Sequence, residues 1–156
     1  MTTVVSGGQT GADRAALDVA LECGLEIGGW VPRGRLAEDG PIAARYTGLR
    51  ETESADPAVR TARNVRDSDA TLILSHGPLT GGSLFTMQTA GKLGRPALHV
   101  DLTGKSDAAA AAEIRAWLMT VRPNILNVAG PRASGDPTIG ARARRVLRGV
   151  FEEFAC

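Results

Sequence analysis

Short apolar runs alternate with amphipathic stretches along the whole chain, the pattern of a sheet whose strands are joined by helical crossovers. Six strands are predicted at 3–6, 28–31, 49–52, 71–75, 97–101 and 125–128. Thr71-Leu72-Ile73-Leu74 and Ile125-Leu126-Asn127-Val128 are almost continuously apolar, as strands covered on both faces are. The first helix is predicted over 11–22, with Ala16, Leu17, Ala20 and Leu21 on one face and Gly24 as its stop. Arg14, Asp18 and Glu22 recur at i, i+4, i+8 with compatible signs, which predicts a solvated, self-paired face. A second helix covers 57–67, capped by Asp56 with Pro57 at its first position. A third spans 82–93 and closes at Gly94, and a fourth, rich in alanine, spans 106–121. The last starts at Asp136-Pro137 and buries Ile139, Ala143, Val146, Val150 and Phe154.

This alternation predicts an α/β protein with a three-layer, Rossmann-like fold: a mostly parallel sheet with helices on both faces and right-handed crossovers. Six strands fit a Rossmann-like order better than a flavodoxin-like one, and ligands of such sheets sit at the carboxyl ends of the strands, where the order reverses. No repeat, linker or second domain interrupts the pattern, so residues 1–156 read as one ligand-binding domain. The stretch 31–50, rich in Gly, Pro and charge, is the longest irregular piece, and that length marks a functional or a disordered loop.

Composition narrows the classes. With 156 residues, 43% hydrophobic and 22% charged, the chain can bury a proper core and reads as globular. A formal net charge of +1 makes no case for nucleic-acid binding. No apolar run is long enough for a bilayer and no signal-peptide layout opens the chain, so the cytoplasm is the expected compartment, without a membrane partner. Cys23 and Cys156 have neither metal-ligand nor disulfide-framework spacing.

The chemistry concentrates in loops that follow strands. Gly7-Gly8-Gln9-Thr10-Gly11-Ala12-Asp13-Arg14 turns from a strand straight into a helix, which leaves backbone N–H groups beside the positive end of a helix dipole. Such a turn favours an anion, most often a phosphate, although it is neither the GxGxxG of dinucleotide binders nor a P-loop. The plainer alternative is a tight turn with Thr10 and Asp13 as a capping box. Asp13 itself caps the helix, pairs with Arg14 or binds a donor group on the ligand. Thr80, Gly81, Gly82 and Ser83 open the third helix with the same physics and add two hydroxyls. Arg33 and Arg35, just past a strand end, can complement a phosphate or form a solvated basic loop. The candidate binding set is therefore Gly7, Gly8, Gln9, Thr10, Gly11, Asp13, Arg33, Arg35, Thr80, Gly81, Gly82 and Ser83. Arg60, Thr61, Arg63, Asn64 and Arg66 read mostly as surface, with Thr61 and Asn64 on a side that can face the crevice. Arg132 offers one more cation near the same edge, and His76 fits a loop or solvent role as well as a catalytic one. With no metal-ligand spacing and no Ser-His-Asp arrangement, no metal ligand and no catalytic residue is assigned.

Several motifs together carry a family resemblance: 7–14 quoted above, Gly-Gly-Trp-Val-Pro-Arg-Gly-Arg at 28–35, Ala-Glu-Asp-Gly-Pro-Ile at 37–42, 64–74 and Leu-Thr-Gly-Gly at 79–82. They resemble the molybdenum-cofactor carrier family, part of a Rossmann-like group that also holds the lonely-guy phosphoribohydrolases. The resemblance implies a non-catalytic carrier that binds and protects molybdopterin, assembled as a homo-oligomer (dimer or tetramer). Backbone donors of 7–11 and 81–83, with Arg33 or Arg35, would then hold the terminal phosphate, and the metal would arrive with its pterin. The alternatives are a nucleotide-processing enzyme of the phosphoribohydrolase type and a nucleotide-sensing module. Against the enzyme stands Gln88, at the position of the hydrolases' glutamate, because an amide supplies neither acid nor base.

Overall fold

The six predicted strands and the five predicted helices form in a computed structural model that describes residues 1–154; Cys156 lies outside the described residues. The strands are β1 (Thr3–Val5), β2 (Glu26–Val31), β3 (Leu36–Ala37), β4 (Gly40–Pro41), β5 (Leu49–Glu51), β6 (Ala70–Ser75), β7 (Ala97–Asp101) and β8 (Ile125–Ala129). The helices are α1 (Ala12–Glu22), α2 (Pro57–Arg66), α3 (Gly81–Leu93), α4 (Asp107–Val121) and α5 (Ile139–Phe154). Their starts follow local chemistry. Asp56 accepts a hydrogen bond from the Ala58 amide (2.9 Å) beside Pro57, and Ser106 accepts one from the Ala109 amide (3.0 Å).

Six strands make one parallel sheet in the order β5-β2-β1-β8-β6-β7. Helices α1, α4 and α5 pack together on one face, and α2 and α3 on the other, which is the three-layer Rossmann-like arrangement. Leu72, Ile73 and Leu74 in β6 and Leu126 in β8 are wholly buried, as central strands of a doubly covered sheet must be. One departure from a simple Rossmann order stands out. The last strand, β8, is inserted between β1 and β6, so Thr3 pairs with Ile125 from the far end of the sequence.

The segment 31–50 is ordered. It carries the antiparallel β3–β4 hairpin and drops Ile42 and Tyr46 onto Leu17 and Val31, a second small core beside the main one. This also changes the predicted polar face of α1. Asp18 is only 6% exposed because Tyr46 and α5 cover it; its carboxylate takes Tyr46 Oη (2.5 Å), Arg144 (2.5 Å) and Arg45 (3.1 Å). Arg14 pairs with Asp39 (2.7 Å) and Glu22 with Arg148 (3.0 Å). The three residues pair with other elements rather than with one another; the face is buried at Asp18 and open to solvent at Glu22.

Candidate functional site

The carboxyl ends of β1, β6 and β8 open into a cleft of about 600 Å³. Its walls are the loops after these strands, the first turns of α2 and α3, and the approach to α5. It lies where the crossovers leave in opposite directions, the position expected for a ligand of an open α/β sheet.

Of the residues singled out from the sequence, Gly7, Gln9, Asp13, Thr80, Gly81, Gly82 and Ser83 line this cleft. Thr61, Asn64, His76 and Arg132 line it as well. The α3 end is built for an acceptor. Thr80 stands at the cap position in extended conformation and places no side-chain oxygen on the first-turn amides. The positions where Gly81 and Gly82 would carry a Cβ are open, so a ligand can approach the backbone there.

Gly8, Thr10, Gly11, Arg33 and Arg35 are not brought to the cleft, for identifiable reasons. Gly8 turns its back on Ile42, and its carbonyl takes the Arg14 guanidinium (3.0 and 3.2 Å). Thr10 donates to Glu38 and accepts from the Ala133 amide (3.1 Å), while Glu38 also holds Ser134 (2.6 and 3.0 Å). That cluster ties the 31–50 segment to the loop after β8. Gly11 is pressed against this loop; a Cβ there would lie 2.3 Å from the Pro131 carbonyl oxygen, and its φ is +81°. Arg33 is exposed. Arg35 folds back on its own loop and donates to the carbonyls of Ile42 (3.0 Å), Ala43 (2.8 Å) and Tyr46 (3.2 Å). A bend that consumes the guanidinium on backbone oxygens leaves little of it for a ligand. Gln88 is exposed and outside the cleft lining.

Thr10 and Asp13 do not form a capping box: α1 has Gly11 at its cap position and no side-chain cap. Asp13 is buried (7% exposed) in the cleft wall and does not pair with Arg14, which is committed to Asp39. Burial pushes the Asp13 carboxyl up to about 6, against the pull of Arg60, the Gln9 amide, Arg14 and the Gly130 amide. The Gln9 amide donates to Oδ2 at 3.4 Å.

Three features of the site escaped the sequence reading. Arg60 is buried rather than on the surface, and its Nη1 donates to the Gly7 carbonyl (2.7 Å). His76 joins Asp136 through Nδ1 (2.6 Å) across two loops far apart in sequence. Phe85, 38% exposed, adds an aromatic face to the cleft. Arg60 and Asn64 do share a helical side at i, i+4, but a polar stripe aimed at a cleft and one aimed at water have the same spacing. Among the described residues, no group of three or more His, Cys, Asp and Glu is placed to hold a metal ion, and no helix is long and apolar enough to cross a membrane.

The sequence pattern of the circularly permutated YpsA SLOG family matches residues 4–151. The chain belongs to this family. The permutation is visible in the sheet: counted from β8, the strand order becomes 4-3-2-1-5-6, in which strands step outward from the first before the chain crosses to the other side. A crystal structure from Syntrophus aciditrophicus SB, described as a "putative molybdenum carrier protein", is 47% identical and superposes with a TM-score of 0.93. That match covers 96% of this chain and 94% of the other. No protein of curated function matches the chain.

Proposed function

We propose that this member of the family binds and carries a small phosphorylated ligand in the cleft, with the molybdenum cofactor as the candidate cargo. The observation that carries the reading is the α3 end: a helix N-terminus without a side-chain cap, fronted by two glycines, opening into a cleft of about 600 Å³. A phosphate there would take backbone N–H groups at the positive end of the helix dipole. Arg132, on the facing loop, supplies a cation. The identity of the cargo is supported by the 47% identical relative described as a molybdenum carrier and by the motifs at 7–14 and 79–82. A pterin-bound metal brings its own sulfur ligands, so the cleft needs only to hold the organic frame and the phosphate.

Purified apoprotein is mixed with molybdenum cofactor released from a molybdoenzyme, separated by gel filtration and assayed for molybdenum. The reading expects molybdenum to co-elute with the protein, and Gly82→Asp to abolish co-elution. That substitution enters open space, so it adds charge and bulk at the phosphate position without a clash. Molybdenum found only in the small-molecule fractions overturns the cargo assignment. Release of free base from nucleoside 5′-monophosphates by the pure protein overturns the non-catalytic carrier.

A further inference from the structure

Phosphate binding at α3 leaves two buried charges in the cleft wall unused. Asp13 and Arg60 are 7% and 8% exposed, and they come from different helices, α1 and α2. An ionised carboxylate offers about four lone-pair positions. Two amides, of Gln9 and Gly130, address the Asp13 carboxyl, fewer than its lone-pair positions, and Asp13 lines the cleft. Arg60 spends Nε on Thr61 Oγ1 (3.1 Å) and an Nη1 hydrogen on the Gly7 carbonyl (2.7 Å). A guanidinium has five N–H donors, so Arg60 keeps donors in hand. The two side chains attract each other electrostatically but do not close into an ion pair among the described residues. Both line the same cleft.

An acceptor pair beside a donor is the complement of a donor–donor–acceptor edge. Such an edge, an exocyclic amino group, a ring N–H and a carbonyl in a row, belongs to 2-amino-4-oxopyrimidine rings, whether fused as guanine or as a pterin. Adenine presents a different order, and hypoxanthine lacks the amino donor. Phe85, on the second turn of α3 in the same cleft, offers a face for a flat ring, and Pro131 and Pro137 line the cleft too.

We propose that Asp13 and Arg60 form a specificity subsite for the 2-amino-4-oxopyrimidine edge of a fused heterocycle whose phosphate lies at the α3 N-terminus. This rests on the phosphate-binding reading above and adds what the rest of the ligand must be. Asp13 accepts from the amino group and the ring N–H, and Arg60 donates to the carbonyl. A buried acceptor left without a donor rejects the wrong ring more strongly than an apolar contact does.

The test is calorimetric titration of the full chain with guanosine, inosine and adenosine 5′-monophosphates, phosphorylated 6-hydroxymethylpterin and ribose 5-phosphate. The subsite expects the guanine or the pterin probe to bind at least about tenfold tighter than the inosine and adenosine probes. Whichever of the two binds tighter identifies the natural ring system. In Asp13→Asn the guanine and inosine probes should come within about threefold of each other, because the amide turns a donor towards the ligand's donors. Binding of both the guanosine and the pterin probes no tighter than the inosine probe by the unaltered protein overturns the subsite and requires no variant to fold. So does a preference that survives in Asp13→Asn. If ribose 5-phosphate binds while the bases are not distinguished, only the subsite fails. If no phosphorylated probe binds, the phosphate reading fails and the subsite with it.

Discussion

At pH 7 the Asp13 carboxyl is mostly ionised in a place that disfavours ionisation, since burial has moved its pKa from 3.8 to about 6. Between those two values the folded chain holds more protons than the unfolded one, so this group makes stability fall as pH rises from 3.8 towards 6. Below 3.8 both states are protonated and the penalty is absent; above about 6 both are ionised and it is complete, roughly 3 kcal/mol by the proton linkage. Asp13→Asn is therefore expected to raise the melting temperature at pH 7 and to flatten the stability profile between pH 4 and 6, as read by thermal unfolding across a pH series. Gly7 is the neighbouring control. A Cβ at position 7 would sit 2.7 Å from the Arg60 guanidinium, the movable end of a long side chain. Gly7→Ala should lower stability by less than about 1 kcal/mol in urea unfolding yet displace Arg60 and weaken ligand binding. The sequence displayed both residues but not their depth. Asp13 sits in a motif that looks like a cap, and Arg60 lies in a helix whose other arginines are taken up by outer partners, Arg63 by Glu53 and Arg66 by Asp67.

At the scale of elements, most strands and helices were legible from apolar runs, caps and stops, although Leu49-Arg50-Glu51 is short and polar and takes its place by pairing with β2. Every predicted strand and helix formed, with boundaries displaced by a few residues. The 31–50 segment was not legible, because its order comes from contacts that no local period records. Ile42 and Tyr46 reach Leu17 and Val31, Arg35 folds onto its own carbonyls, and Glu38 bridges Thr10 and Ser134. The same contacts hold Thr10 and Arg35 away from the cleft. The pin of this segment on α1 is the Tyr46–Asp18 hydrogen bond, and burial with that bond pushes the phenol up to about 12. Tyr46→Phe leaves a buried carboxylate short of a donor, and a loss of about 1–3 kcal/mol in chemical denaturation is expected. Gly11→Ala should be more damaging still. It combines a left-handed φ of +81° with a 2.3 Å approach to the Pro131 oxygen, so α1 and the loop after β8 would have to separate. A melting point lowered by several degrees, with the Ala12-to-Pro131 backbone bond lost, is the outcome to look for.

For the whole molecule, the sheet order carries the family's permutation. α5 runs 16 residues back along the face it shares with α1 and α4, which returns the chain towards the end of the sheet where β1 begins. A variant opened between Arg122 and Pro123, with the end of α5 joined to Met1 by a short flexible linker, should keep the fold and the cleft. Its circular dichroism and probe affinities are expected to match those of the unaltered chain, because the β1–β8 and β6–β8 pairings are unchanged by the order in which they are joined. Loss of cooperative unfolding in that variant would show that connectivity, not packing, holds the sheet together.

The pairing of β1 with β8 also sets a timetable for folding. Thr2 donates to the carbonyl of Asn124, 122 residues away, just ahead of the central strands β1 and β8. Closing so long a loop comes late on any folding route, since its entropy is lost before its contacts form. The cleft takes one wall from the loop after β1 and another from the loop after β8, so on a ribosome it exists only once the chain has been made past Pro137. Partly synthesised chains have β1 and no partner for its inner edge, an open strand that chaperones would recognise. Binding at the proposed site is therefore expected only of chains extended past the loop after β8.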